Sequence, residues 1–275
     1  MELFDVLEAT REKAPLVQCI TNFVTVNDCA NILLAAGASP TMADHILEVE
    51  DTIAAANGLV CNMGTLERTE AMLLAGKRAN ALGKPVVLDP VAAGANPYRQ
   101  ETAERLMKGI HFTAIRGNAS EIRALASGEA AGSGVDVSLA DVVTRENLPQ
   151  AAQMTQELAR RTGAVIAISG VMDVVSDAEH TAVFENGCAT MARVTGSGCM
   201  LTTLMGGFCA AVPDEPFTAA CAAMAVMGVC GELAEEKRIK NHTGNATFRT
   251  DMIDAVFTLT EKELKEKLRY ELYQG

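Results

Sequence analysis

The run Pro85-Val-Val-Leu-Asp89 is the type of segment that decides the fold of this chain of 275 residues. Its apolar part is too short for a helix and it ends in a polar residue, as a strand buried on both faces does. Four further runs have the same form: Val17-Gln-Cys-Ile-Thr21, Gly58-Leu-Val-Cys-Asn62, Phe112-Thr-Ala-Ile-Arg116 and Ala164-Val-Ile-Ala-Ile168. Helical patterns lie between the runs, at residues 26–36, 69–81, 98–108 and 148–161. This alternation predicts an α/β fold with a mostly parallel central sheet flanked by helices.

The pattern changes after residue 168, where two short apolar runs flank a polar turn. Residues 174–176 and 181–184 lie on either side of Asp177-Ala-Glu179, which predicts an antiparallel hairpin at one side of the sheet. An amphipathic pattern at 251–272 predicts a closing helix, and the Gly- and Ala-rich segment 126–137 predicts a loop. We expect residues 1–275 to form a single domain, because no linker or repeat interrupts the pattern.

Composition and charge exclude several classes of partner. Lys and Arg number 23 against 35 Asp and Glu, so the net charge is −12 and no basic field attracts nucleic acid or an anionic membrane. The eight cysteines form no CxxC pair, which argues against a zinc site and a redox dithiol. The acidic, amphipathic start of the chain does not have the pattern of a signal peptide. These features together predict a cytoplasmic protein.

Two uncharged segments could be read as a membrane hairpin, at residues 194–213 and 217–231. A membrane-spanning helix needs about 20 strongly apolar residues, whereas the first segment contains several glycines and threonines. Aromatic residues make up only 4% of the chain, so the core must be built from small and aliphatic side chains. We therefore expect two buried helices that pack closely through small residues.

Polar residues follow each predicted strand of the parallel sheet. They are Thr21-Asn22, Asn62-Met-Gly64-Thr65, Asp89-Pro90, Arg116-Gly-Asn118 and Ser169-Gly170. In an open α/β sheet, ligands bind beyond the carboxyl ends of the strands. These residues therefore predict one crevice that holds a small molecule.

The segment Thr195-Gly-Ser-Gly-Cys-Met200 comes directly before the first uncharged helix. The backbone N–H groups of Gly196, Ser197, Gly198 and Cys199 can form an anion hole at this helix start, and a thiolate is favoured at Cys199. The segment matches neither a dinucleotide fingerprint nor a P-loop. The alternative is that the glycines only permit close packing and Cys199 is a small buried apolar residue.

A second polar segment, Arg116-Gly-Asn-Ala-Ser-Glu121, predicts a metal site. Asn118 and Glu121 face the same side of a helix start, and Asp89 ends a neighbouring predicted strand. Two carboxylates and an amide oxygen suit hydrated Mg²⁺, which commonly accompanies nucleotide phosphates. The spacing also fits a capping box with Asn118 as the N-cap, and the two interpretations are compatible.

Several segments together resemble the hydroxyethylthiazole kinase family of thiamine salvage, within the ribokinase-like superfamily. They are CITNFVTVNDCANILLAAGASPTMA (19–43), NMGTL (62–66), KPVVLDPVAAGA (84–95), IRGNASEI (115–122), ISG (168–170) and VTGSGCMLTTLMGGF (194–208). Cys199 stands where most ribokinase-like kinases have an aspartate base. The resemblance implies a ribokinase-like fold and ATP-dependent phosphorylation of the hydroxyl of 4-methyl-5-(2-hydroxyethyl)thiazole.

The resemblance also implies a role for each matching residue. Cys199 would be the catalytic residue, Met42, Gly196 and Asn22 would bind the thiazole, Arg116, Ser169 and Asn118 would bind ATP, and Asp89 and Glu121 would hold Mg²⁺. The family is a homotrimer with sites at subunit interfaces, so Met42 would serve the Cys199 of a neighbouring subunit. Gly244-Asn-Ala-Thr-Phe248 departs from the family's Gly-Pro-Gly-Ser-Phe, and we assign it no contact. Two alternatives are a kinase of another small vitamin-related alcohol and a nucleotide-binding module without catalysis.

Overall fold

The structure, a computed structural model, describes residues 1–127 and 142–274 of the chain. The strands are β1 (Leu16–Ile20), β2 (Ser39–Thr41), β3 (Gly58–Asn62), β4 (Val86–Asp89), β5 (Ala114–Gly117), β6 (Val165–Ile168), β7 (Asp173–Ser176), β8 (Thr181–Phe184) and β9 (Tyr270–Leu272). The helices are α1 (Leu3–Lys13), α2 (Val26–Ala35), α3 (Val49–Ala55), α4 (Thr69–Ala81), α5 (Pro97–Gly109), α6 (Ala119–Ser127), α7 (Leu148–Thr162), α8 (Ser197–Ala211), α9 (Pro216–Asn241), α10 (Asn245–Thr258) and α11 (Glu261–Lys267). Most of the loop predicted at 126–137 lies outside the described residues.

The strands form one sheet in the order β2-β1-β3-β4-β5-β6-β7-β8-β9. The pairs from β2 to β6 are parallel, and those from β6 to β9 are antiparallel. In the parallel part Asn62 pairs with Asp89, so the carboxyl ends of β3 and β4 are level. The predicted α/β architecture and the antiparallel hairpin at one side are confirmed. The prediction of a single domain over residues 1–275 stays a prediction.

The predicted closing helix at 251–272 is wrong, because this region is divided into α10, α11 and β9. A capping box starts α11, in which Thr260 Oγ1 accepts from the Glu263 N–H and the Glu263 carboxylate accepts from the Thr260 N–H. The chain then pairs with β8 as the edge strand β9. Its three residues are exposed, and they do not form a continuous apolar run like those of the buried parallel strands.

Helices α8 and α9 account for the two uncharged segments. Helix α9 is long and apolar enough to cross a membrane, but 78% of that apolar window is buried inside the protein. Helix α8 lies close to β3, since a Cβ on Gly206 would stand 2.2 Å from Val60 Cγ2. The prediction of two buried helices packed through small residues is therefore confirmed.

Candidate active site

Two asparagine side chains contact the sulfur of Cys199 in the first turn of α8. Asn62 Nδ2 lies 3.2 Å from Cys199 Sγ, and Asn22 Nδ2 lies 3.4 Å from it. Asn62 ends β3, and Asn22 follows the neighbouring strand β1. The parallel register brings Asn22 next to Asn62, and the start of α8 adds Cys199 to the same group.

Gly196 allows α8 to start beside this group. It has a φ of +86°, in the left-handed region that favours glycine. A Cβ on Gly196 would lie 2.4 Å from Thr25 Cγ2. Thr25 in turn donates to Asn22 Oδ1 through its backbone N–H and its hydroxyl, both at 3.1 Å. A side chain at position 196 would therefore disturb the partner that orients Asn22.

Arg116, on β5, faces the same helix start from the other side. Its guanidinium donates to Ser169 Oγ, and Nη1 lies 4.0 Å from Asp89 Oδ2. A Cβ on Gly198 would lie 2.6 Å from Arg116 Nη1, so the guanidinium fits here only because residue 198 has no side chain. Arg116 Nε is buried and has no hydrogen-bond partner among the described residues. An unpaired buried donor is costly, and an acceptor oxygen of a ligand would stabilise it.

Asp89 connects the asparagine group with Arg116. It is 1% exposed, and its Oδ2 accepts from Asn62 Nδ2 at 2.9 Å and from Thr202 Oγ1 at 3.0 Å. Burial raises the pKa of Asp89 to about 6, an effect that the charge of Arg116 opposes and that of Glu121 reinforces. Asp89 is therefore mainly ionised at neutral pH, although its carboxylate is enclosed.

Asn118 and Glu121 form the predicted capping box at the start of α6. Asn118 Oδ1 accepts from the Glu121 N–H at 2.8 Å, and Glu121 Oε2 accepts from the Asn118 N–H at 2.7 Å. Glu121 Oε1 also accepts from the Ala92 N–H at 2.8 Å. Glu121 is therefore held rigidly beside the end of β4, where its charge acts on Asp89.

The expectation that a thiolate is favoured at Cys199 is wrong. Burial raises the pKa of the Cys199 thiol to about 11, and the charge of Asp89 adds to this effect. The hydrogen bond from Asn62 lowers the pKa but does not compensate. Cys199 is therefore a neutral thiol at physiological pH.

Asp173, the first residue of β7, stabilises the turn that carries Ser169. Its Oδ1 accepts from the Gly170 N–H at 2.8 Å. Burial raises the pKa of Asp173 to about 7, against the lowering effects of this hydrogen bond and of the Arg116 charge. The charge of Asp173, next to the β6–β7 turn, therefore interacts with the charge of Arg116.

Most of the predicted site residues come together in this crevice, whereas Met42 packs against an apolar cluster next to β1 and β2. Met42 follows the edge strand β2 and packs against a cluster of Val17, Cys19, Leu33, Ala38 and Val60. Its predicted contact with substrate needs a neighbouring subunit and stays a prediction.

Three residues of the crevice received no role from the sequence: Asn62, Thr202 and Asp173. Asn62 was placed in the crevice as the polar end of an apolar strand, the same signal as for Asp89, but no contact was predicted for it. Thr202 lies one turn after Gly198 in α8, a spacing that places both on one helix face. Asp173 follows a short turn that carries no distinctive pattern.

The residues present fit a Mg²⁺ ion that keeps water and phosphate ligands. Within residues 1–127 and 142–274 no group of three or more His, Cys, Asp or Glu side chains is placed to hold a metal. Asp89 and Glu121 supply two carboxylates, and Mg²⁺ in phosphate-transfer sites commonly takes only one or two from the protein. Because the charge of Glu121 raises the pKa of Asp89, a bound cation would stabilise both carboxylates.

An apolar cavity of about 480 Å³ lies elsewhere, between α5 and α6. Its lining includes Met107, Ile110, Phe112 and Leu125, and none of the predicted site residues.

Comparison with known proteins gives consistent results along the chain. A sequence profile of the hydroxyethylthiazole kinase family matches residues 7–262. The chain is 45% identical to the hydroxyethylthiazole kinase of Clostridium acetobutylicum over 269 residues, which are 97% of this chain and 98% of that protein. It is 46% identical to that of Desulfovibrio desulfuricans over 264 residues, with 93% of each protein covered.

Solved structures show the same similarity. The hydroxyethylthiazole kinase protein from Pyrococcus horikoshii OT3 superposes with a TM-score of 0.86 at 33% identity, covering 99% of both chains. The pyridoxal kinase of Bacillus subtilis, solved as an ADP complex, superposes with a TM-score of 0.58 at 15% identity, covering 78% of this chain and 90% of that one. The second similarity concerns the fold alone, and together they confirm the ribokinase-like architecture.

Proposed function

The chain belongs to the hydroxyethylthiazole kinase family, and from this premise we propose that it phosphorylates the hydroxyl of 4-methyl-5-(2-hydroxyethyl)thiazole. The phosphoryl donor is ATP, and the products are the thiazole phosphate and ADP. The reaction belongs to the salvage of thiamine. Eight unpaired cysteines suit a reducing compartment, which supports a cytoplasmic location.

The observation that carries this proposal is the contact of Arg116 with the start of α8. A helix N-terminus attracts anions through its unpaired N–H groups, and Arg116 adds a guanidinium with a free buried donor at the same place. Phosphoryl transfer mainly needs positioning and charge stabilisation around the moving group. In this arrangement Gly196, Ser197, Gly198 and Cys199 form the anion hole, and Arg116, Ser169 and Asn118 bind the nucleotide.

Cys199 is the residue that meets the substrate hydroxyl in this proposal. It lies at the helix start and beside Asn22, which with Gly196 lines the thiazole side of the crevice. The neutral thiol is a poor base, so its first role is to position the alcohol next to the anion hole. Deprotonation of the alcohol at Cys199 needs the small thiolate fraction, which predicts a slow catalyst.

Asp89 and Glu121 would hold Mg²⁺ on the nucleotide side of the crevice. When bound, the ion supplies positive charge that neutralises the phosphate oxygens of ATP. The chain itself orients these carboxylates, since Asn62 and Thr202 donate to Asp89 and two backbone N–H groups donate to Glu121.

A homotrimer with sites at subunit interfaces completes the proposal. Phe23, next to Asn22 in sequence, is 88% exposed, and Leu47, in the loop after β2, is 84% exposed. These large apolar side chains lie beyond the carboxyl ends of neighbouring strands, where Met42 also lies. A second subunit that covers them would bring its own Met42 towards the crevice.

The function is tested by ADP formation from Mg-ATP in the presence of the thiazole alcohol. We expect ADP release that depends on the alcohol, with the thiazole phosphate identified by mass spectrometry. Turnover only with another primary alcohol would favour a different vitamin-related kinase. ATP binding without any ADP release would favour a nucleotide-binding module.

The anion site is tested by the Gly198→Ala variant. The added methyl group would displace the Arg116 guanidinium from the helix start, so we expect the KM for ATP to rise by about tenfold, or roughly 1.4 kcal/mol. Gly244→Ala is the matched control, because a Cβ there has no atom within 4 Å and the residue has a φ of −95°. An unchanged KM for ATP in Gly198→Ala would contradict the placement of the phosphates at Arg116.

A further inference from the structure

Asn62 uses all of its hydrogen-bonding capacity inside the crevice. Its Nδ2 donates to Cys199 Sγ at 3.2 Å and to Asp89 Oδ2 at 2.9 Å. Its Oδ1 accepts from the Gly64 N–H at 2.8 Å and from Asn22 Nδ2 at 3.2 Å. A primary amide has two donor hydrogens and two acceptor lone pairs, and each of them has a partner here. The side chain is 1% exposed, so water does not compete for these contacts.

The four partners permit only one orientation of the amide. If the amide turned over, its NH₂ group would face the donors of Gly64 and Asn22, and its oxygen would face the Asp89 carboxylate. Each of these contacts would leave a buried donor unpaired or place the amide oxygen against the carboxylate oxygen of Asp89. The cost is about 1–3 kcal/mol per group. Asn62 is therefore a fixed donor towards both Cys199 and Asp89.

We propose that Asn62 is a positioning residue for the phosphoryl transfer, and that it acts by fixing the Cys199 sulfur opposite the substrate hydroxyl. This inference rests on the proposed function. Two amide N–H groups, from Asn62 and Asn22, occupy the acceptor side of the sulfur. In this proposal the substrate oxygen contacts the sulfur on the side that these two amides leave open. Asn62 also holds Asn22 through Oδ1, so its loss loosens both contacts to the sulfur.

A residue that orients the sulfur contributes to turnover more than to substrate binding. The anion hole and Arg116 contact ATP directly in this proposal, and Thr202 still donates to Asp89 Oδ2 when Asn62 is lost. Misplacing a reacting group by about 1 Å can lower the rate by about 100-fold. We therefore expect Asn62→Ala to lower kcat by about 10- to 100-fold while the KM for ATP and the KM for the alcohol each change less than about threefold.

A double-mutant cycle with Cys199→Ala separates positioning from a general structural role. If Asn62 acts through Cys199, Asn62→Ala lowers kcat strongly in the wild type but by less than about threefold in the Cys199→Ala background. An equal loss in both backgrounds overturns the proposal. Thr202→Val is the matched control, because it removes the other donor to Asp89 Oδ2 and leaves the sulfur contacts in place. An equal loss in this control would mean that Asn62 acts through Asp89, which also overturns the proposal.

A structural measurement keeps the inference independent of the proposed substrate. Asn62→Leu nearly retains the size of the side chain but has neither donor nor acceptor atoms, and it serves if Asn62→Ala does not fold. In crystals of this variant we expect Cys199 to adopt a new or a second rotamer. A single unchanged rotamer would overturn the inference, even if the enzyme phosphorylates a different alcohol. Failure of the function itself is seen separately, as wild-type enzyme that releases no ADP with the thiazole alcohol.

Discussion

Two physical effects oppose each other at the Cys199 thiol, and burial is the stronger. The N-terminus of a helix stabilises a nearby anion by about 0.3–1 kcal/mol at an exposed site. A pKa raised from 9.0 to about 11 corresponds to about 2.7 kcal/mol against the thiolate. The position of a cysteine in the first turn of a helix therefore does not by itself make it a thiolate.

The raised pKa of Cys199 predicts how turnover depends on pH. Below a pKa of about 11 the thiolate fraction grows about tenfold for each pH unit. If the thiolate accepts the proton of the alcohol, kcat rises across pH 7–10. We expect Cys199→Ala to lower kcat by about 10²–10⁴-fold at pH 8 and to abolish this rise. Steady-state kinetics with saturating Mg-ATP measure both effects.

The control for this experiment is the pH profile of the variant itself. A rise of the same slope in Cys199→Ala would show that another group accepts the proton. In that case Cys199 only orients the alcohol, and the loss in kcat should be the same at every pH. Equal kcat values for the variant and the wild type would remove Cys199 from the reaction.

Strands β1, β3, β4 and β6 were predicted within one residue at each end, because both faces of these strands are buried. Continuous apolar runs result from this burial, and their polar ends predicted the crevice. Strand β9 could not be predicted in this way, since its residues are exposed and its structure depends on pairing with β8. Strand β2 has only three residues and contains a proline.

Hydrogen-bond partners within the crevice were less predictable than its position. Asn62 and Cys199 are 137 residues apart, and Thr202 and Asp89 are 113 apart. Local spacing identifies a capping box such as Asn118 and Glu121, because both partners lie in one turn. It does not identify partners that only the sheet register brings together.

Close contact between α8 and β3 predicts a specific loss of stability in Gly206→Ala. The new Cβ would lie 2.2 Å from Val60 Cγ2, so the helix must move away from the sheet. Overpacking of this kind costs about 1–3 kcal/mol in the free energy of unfolding. Urea denaturation measures this loss.

Val60→Ala is the second single variant of a double-mutant cycle with Gly206→Ala. It removes the methyl group that the new Cβ would meet, so the double variant should be more stable than the sum of the two single losses by about 1 kcal/mol. Strict additivity would contradict the direct contact between α8 and β3.

The β6–β7 turn predicts a pH-dependent change of stability at Asp173. The pKa of Asp173 is raised to about 7 in the folded protein, from 3.8 in the unfolded chain. Between about pH 4 and pH 7 the folded state therefore binds more protons, and stability falls as the pH rises. Asp173→Asn cannot ionise and keeps an oxygen for the Gly170 N–H. We expect it to exceed the wild type in stability at pH 8 by about 1–3 kcal/mol more than at pH 5.

Glu235→Gln is the control for this comparison by urea denaturation. The hydrogen bonds from Arg238 lower the pKa of Glu235. Glu235 therefore stays ionised from pH 5 to pH 8, and its variant should differ from the wild type by a constant amount. A constant difference for Asp173→Asn as well would mean that Asp173 does not titrate in this range.

Because the whole molecule carries a negative net charge, ATP binding depends on attractive groups within the crevice. The net charge is −12, and within the crevice the charges of Asp89 and Asp173 both act on Arg116. One guanidinium among several carboxylates does not attract a polyphosphate strongly. Local attraction must come from the helix start, from the unpaired Nε of Arg116 and from the cation that Asp89 and Glu121 would hold.

The exposed apolar side chains beyond β1 and β2 predict that the active unit is larger than one chain. Burial of a phenylalanine side chain stabilises an interface by about 1.5–3 kcal/mol, and Phe23 is 88% exposed in the single subunit. We expect wild-type enzyme to have the mass of a trimer by light scattering at micromolar concentration. Phe23→Asp places a charge at the proposed interface, so it should give monomers.

Loss of the trimer should reduce activity as well as mass, because Met42 of one subunit is proposed to complete the crevice of another. Phe257→Asp is the control, since Phe257 is 69% exposed at the end of α10, distant in sequence from the proposed interface. It should keep the wild-type mass and kcat. A wild-type monomer with full turnover would contradict the shared site, and Met42 would then have no route to the Cys199 crevice. A trimeric Met42→Ala variant with a raised KM for the thiazole but an unchanged KM for ATP would assign Met42 to the thiazole side of the site.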